Sequence, residues 1–133
     1  MKVTSLVIAA LVLIAGGAPG LAADNLASKI KVAVDSAQKP GMEPGMYECM
    51  GGHLHVTGTL QNANDVPVKM VKLEGTVFDE SGAVLGTATN VNKKELKPGA
   101  TTAFDIEFVK VTGDKIQKVK KSEIKAVDAQ PAK

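Results

Sequence analysis

Between residues 42 and 55 the chain gathers its only cysteine, Cys49, both histidines, His53 and His55, and three methionines, Met42, Met46 and Met50. Thiolate and thioether donors select soft ions such as Cu(I), and imidazole suits copper and zinc. The ligand set this composition offers is Cys49, His53, His55, Met46 and Met50, with copper as the ion. On a β-strand, His53 and His55 would share one face, about 6.5–7 Å apart along it, a separation able to chelate. The spacing of four between methionines makes a common face only in a helix, and Pro44-Gly45 opposes a helix there. No spaced Cys/His zinc pattern accompanies the cluster. A reading without any cofactor competes with the copper alternative, and the sequence alone favours it. In that reading the methionines fill gaps against a core, and His55 is exposed beside Thr57.

Cys49 by itself allows three roles: a small buried hydrophobe, an intermolecular disulfide partner, or a metal ligand. A Cys–His nucleophile would need an orienting acid, and none follows at a recognisable position. The chain contains no arginine to hold an oxyanion. Ser81 and Ser122 lack a nucleophile-elbow context. Glycine-rich phosphate loops and paired-carboxylate motifs are also missing. The sequence reads as non-enzymatic.

The elements that must position these residues announce themselves by alternation. Leu54, Val56 and Leu60 alternate with His55, Thr57, Thr59 and Gln61, and Phe104, Ile106 and Phe108 alternate with Asp105 and Glu107. A period of two is what a strand buried on one face requires. Strands are expected at 53–62, 68–79, 83–89 and 100–111, and the element at 116–127, whose spacing also allows a helix, is read as a final strand. Turn formers separate them at 62–67, 79–82 and 97–99. Val56, Leu60, Leu73, Val77, Phe104 and Ile106 are the expected core, and Gly58 and Gly75 fall on core-facing positions. The fold class is all-β, a single small antiparallel β-sandwich. Residues 24–38 fit either a helical stripe or a strand, and their alanines favour helix. Residues 39–52 read as a linker.

The organisation is therefore a signal peptide at 1–22, an extension and linker at 23–52, the sandwich at 53–127 and a tail at 128–133. Lys2, the apolar run 6–15 and small residues ahead of Ala22 follow the order of a secretory signal. The run is shorter than the ~20 apolar residues a membrane span needs. Neither residue after the two plausible cuts is cysteine, so no lipid anchor is expected. The mature chain is read as exported, periplasmic or extracellular. It would hold 111 residues, 15 lysines and 14 acids, a net charge of +1. Without arginine, and with aromatic residues at 3%, nucleic-acid binding is not expected. Six lysines between 110 and 125 read as a protected edge strand.

His55-Val56-Thr57-Gly58-Thr59-Leu60-Gln61-Asn62, then Val77-Phe78-Asp79-Glu80-Ser81-Gly82, then Leu96-Lys97-Pro98-Gly99 with Phe104 beyond, resembles the FxLYD domain family. These are immunoglobulin-like modules of exported bacterial and archaeal proteins. The eponymous stretch falls on Gly75-Thr76-Val77-Phe78-Asp79, where Gly75 replaces the family's Phe and Phe78 its Tyr. The similarity spans about residues 53–112. It implies a sandwich fold and no catalytic residue. Sequence and resemblance together suggest an exported non-catalytic module with a binding or structural role. Its partner would be a protein or the cell surface, with self-association by donation of the 24–38 strand as one form. The alternative is a periplasmic soft-metal binding protein.

Overall fold

The structure, a computed structural model, describes residues 26–132. The signal-peptide reading of 1–22 lies outside these residues. Period-two patterning decides the first sheet. In strand β3 (His53–Asn62), Leu54, Val56 and Leu60 are fully buried while His55, Thr57 and Thr59 face outward. The chain reaches it through β1 (Ile30–Val34) and β2 (Met46–Glu48). Both short strands pair antiparallel with the same edge of β3, β1 along residues 58–62 and β2 along residues 54–56. The other edge of β3 pairs with β6 (Thr101–Thr112), which buries Phe104, Ile106 and Phe108.

The second sheet has β4 (Val68–Phe78) at its centre, flanked by β5 (Val84–Asn92) and β7 (Lys121–Pro131). Val71, Leu73 and Val77 of β4 are fully buried and pack in one cluster with Leu54, Val56, Leu60, Ile106 and Phe108. Each such side chain contributes about 1.5–3 kcal/mol relative to exposure. Two antiparallel sheets packed face to face make an all-β sandwich, and every residue of the expected core is inside it. Gly58 and Gly75 also face inward: a Cβ on Gly58 would strike the Phe104 ring and the Ala33 carbonyl, and one on Gly75 the Phe108 ring.

Several boundaries move. Of the stretch expected to be helical, residues 26–28 form a single turn, and 30–34 form β1 instead. Alanine's helix propensity is a weak prior that sheet pairing overrides. Ile30 is buried opposite Asn62. In this chain that strand pairs with β3 of its own sheet. The stretch 23–52, read as extension and linker, supplies two strands of the first sheet, which moves the start of the packed unit ahead of residue 53. The third expected strand runs on to Asn92. The element at 116–127 divides into a short helix α1 (Asp114–Lys118) and β7, because Ile116 and Val119 both turn into the core. The tail is also structured: Ala129 is fully buried, and the Ala132 N–H donates to the Pro67 carbonyl at 2.9 Å.

A polar tie unforeseen in the sequence fixes the N-terminal piece. Asn62 and Asn64 are buried. The Asn62 amide donates to the Val66 and Leu96 carbonyls, both at 2.9 Å, and the Asn64 amide donates to the Leu26 carbonyl at 3.0 Å. Leaving such groups unpaired would cost about 1–3 kcal/mol each.

Candidate metal centre

The site forms on the outward face of the first sheet because its neighbours in sequence face inward. Leu54 and Val56 are in the core, so His53, His55 and Thr57 point away from it. Phe104, Ile106 and Phe108 do the same for Asp105 and Glu107. Register then sets His55 opposite Glu107 on β6 and opposite Tyr47 on β2, with Thr57 opposite Asp105. The register shifts between His53 and Leu54, so His53 lies opposite Thr112. Such irregularities commonly re-aim a side chain beside a functional site.

Cys49 enters through the β2–β3 turn. The Gly52 N–H donates to the Cys49 carbonyl at 2.9 Å and the Cys49 N–H to the His53 carbonyl at 3.0 Å. Gly52 takes φ +85°, which closes the turn and which other residues reach only with strain. The sulfur is thereby brought to 3.7 Å from His53 Nδ1.

The two histidines do different jobs. His55 Nδ1 lies 2.6 Å from Asp105 Oδ1, and its ring stacks on Tyr47 with centroids 4.6 Å apart. The Tyr47 hydroxyl donates to the other Asp105 oxygen at 2.6 Å. In the neutral imidazole, Asp105 therefore holds the proton on Nδ1 and leaves the Nε2 lone pair free. That Nε2 is buried and has no hydrogen-bond partner. Glu107 Oε2 lies 3.8 Å from it, and the Cys49 sulfur completes a group whose three donor atoms all lie within 4.8 Å of one another. His53 stands outside this trio, with its Nδ1 2.7 Å from Glu107 Oε2. It orients the carboxylate.

Electrostatics favour a charged thiol. The His53 backbone N–H, with help from the His55 imidazole and the Gly51 N–H and against burial, brings the Cys49 thiol down to about 7. Burial pushes His55 down, but the Asp105 carboxylate and the nearby sulfur outweigh it and leave its pKa raised. The hydrogen bond to Asp105 pushes Tyr47 up to about 12, so it stays a neutral donor.

Of the ligands expected from sequence, the structure brings together Cys49 and His55, sets His53 one contact away, and separates the methionines. Met46 is 2% exposed and packs in the core, on the face opposite Tyr47, so it is not a ligand. Met50 lies fully exposed at the turn. His55 is itself only 14% exposed, because Tyr47 covers it, and so is not the open surface residue of the metal-free reading. Glu107, Asp105 and Tyr47 were missed. Alternation marked the first two as outward-facing, but only strand register brings them to His55.

The order Cys49, His55 Nε2, His55 Nδ1, Asp105 supplies the orienting acid that the sequence did not reveal. It is the order of a nucleophile, its base and its orienter. The surroundings suit a cation better than an acyl intermediate. An oxyanion wants donors, whereas the walls here are the carboxylates of Asp105 and Glu107. Among the described residues, the side chains within ion-pair distance of these carboxylates are the two imidazoles. Comparison with protein families, curated proteins and solved structures finds no match for this chain.

Proposed function

We propose that this chain is an exported, non-catalytic β-sandwich that binds one borderline-to-soft transition-metal ion, copper or zinc, through Cys49, His55 and Glu107. The observation that carries the reading is His55 Nε2, buried without a partner between a sulfur and a carboxylate. An ion accepts all three lone pairs at once and removes the cost of the orphaned nitrogen. Sulfur, imidazole nitrogen and carboxylate oxygen are all zinc ligands, and copper stands above zinc in affinity for such donors. Asp105 on Nδ1 is the outer-shell carboxylate that ligating histidines normally carry. Export is supported by the signal-like first 22 residues, and the resemblance to the FxLYD family points the same way.

Native mass spectrometry of the mature chain with Cu(I), and separately with Zn(II), tests this. One ion should be retained by the wild type and lost from Cys49→Ser and His55→Ala, each with an unchanged circular dichroism spectrum. No stoichiometric ion on the wild type, or retention by both variants, would contradict it.

A further inference from the structure

Resting on that metal reading, we infer that the centre keeps its fourth coordination position open and that this position takes a neutral donor in preference to an anion. Three protein donors converge, and His53 is excluded from the converging group. Its Nδ1 is engaged by Glu107 at 2.7 Å. Four-coordinate centres built from three protein ligands leave their last position to water or an incoming molecule.

Room exists for that ligand. A groove of about 510 Å³ runs along the site, with His55, Asp105 and Glu107 on one wall and Thr87, Thr89 and Asn90 on the other. The far wall comes from β5, an edge strand of the second sheet. Of the three donors, His55 and Glu107 line this groove, so a ligand seated there would meet hydroxyl and amide groups on one side and approach the ion past these two side chains on the other.

Charge selects the class of ligand. The Cys49 thiolate and the Glu107 carboxylate already neutralise a divalent ion, and Asp105, on the far side of the imidazole, adds a third negative charge. An anion would raise the local excess in a half-buried place, where charges are screened less than in water. A neutral donor adds none. For Cu(I), with a single positive charge, the preference is stronger.

The test uses Co(II) as a spectroscopic stand-in in the mature chain, titrated with imidazole and, separately, with azide. Imidazole should shift the ligand-field bands in wild type, with azide ineffective at equal concentration. A shift by imidazole confined to His53→Ala would show that His53 fills the fourth position, and would overturn the inference. So would a response to azide equal to that to imidazole, or a spectrum indifferent to both. Absence of sulfur-to-cobalt charge transfer before either is added would instead overturn the metal reading beneath it.

Discussion

Two hairpins of this sandwich share one backbone design and differ in what their first residue does. In the β2–β3 turn, the Gly52 N–H donates to the Cys49 carbonyl at 2.9 Å and the Cys49 N–H to the His53 carbonyl at 3.0 Å. In the β4–β5 turn, the Gly82 N–H donates to the Asp79 carbonyl at 3.0 Å and the Asp79 N–H to the Ala83 carbonyl at 2.9 Å. The glycines take φ +85° and +89°. Asp79 spends its side chain on its own turn: Oδ1 accepts from the Ser81 N–H, the Ser81 hydroxyl and the Ala83 N–H. Cys49 instead offers its sulfur to His53 and His55 across the sheet. One turn is closed by its side chain, and the other is left with a donor to give. The same geometry thus serves stability in one sheet and leaves a free donor in the other.

The largest effect should come from breaking the frame beneath both hairpins. Phe104 is 4% exposed and packs in the shared core. Phe104→Ala should cost about 3–5 kcal/mol, read from a two-state denaturant melt, and should destabilise the two hairpins together. A loss below about 1 kcal/mol would mean that the two sheets do not depend on this ring.

His55→Ala should cost metal affinity by more than about 100-fold, beyond the range of outer-shell losses, while the fold persists because the residue faces outward. Calorimetric titration with Zn(II) measures this. Asp105→Asn should weaken binding by about 10–100-fold, since the amide can present either end to Nδ1 and no longer fixes the tautomer. Both changes belong to the first hairpin's surroundings. An equal loss in Asp79→Ala would erase the contrast.

The smallest effect concerns the closed turn. Hydrogen bonds from Ser81 and Ala83 hold the Asp79 carboxyl below its usual range. A lowered folded pKa adds stability that is present above the unfolded value, about 3.9, and lost as pH falls through the folded one. Asp79→Ala should therefore be destabilising at neutral pH, with the difference from wild type shrinking in strong acid. Melts across pH 2–7 check this, and metal affinity at neutral pH should not change.

How far the sequence reached can be judged at particular residues. Strict alternation around Leu54, Val56, Phe104 and Ile106 determined the sandwich and the outward face. Asp79 and Gly82 were recognisable as a turn because their chemistry is local. Met46 misled, because its soft sulfur within the 42–55 cluster suggested a ligand while β2 turns it into the core. β1 was obscured by alanines that a helix would also accept. Glu107 and Asp105 lie fifty or more positions from the histidines they bind, and which acid meets which histidine depends on strand register, a non-local quantity.

X-ray absorption at the edge of the bound ion tests the central claim most directly, since it counts donors without relying on variants. For Zn(II) on the mature wild-type chain, the account predicts one sulfur at about 2.3 Å and the remaining donors nitrogen or oxygen at about 2.0–2.1 Å. A shell of nitrogen and oxygen alone would contradict it, because Cys49 would then stand outside the centre.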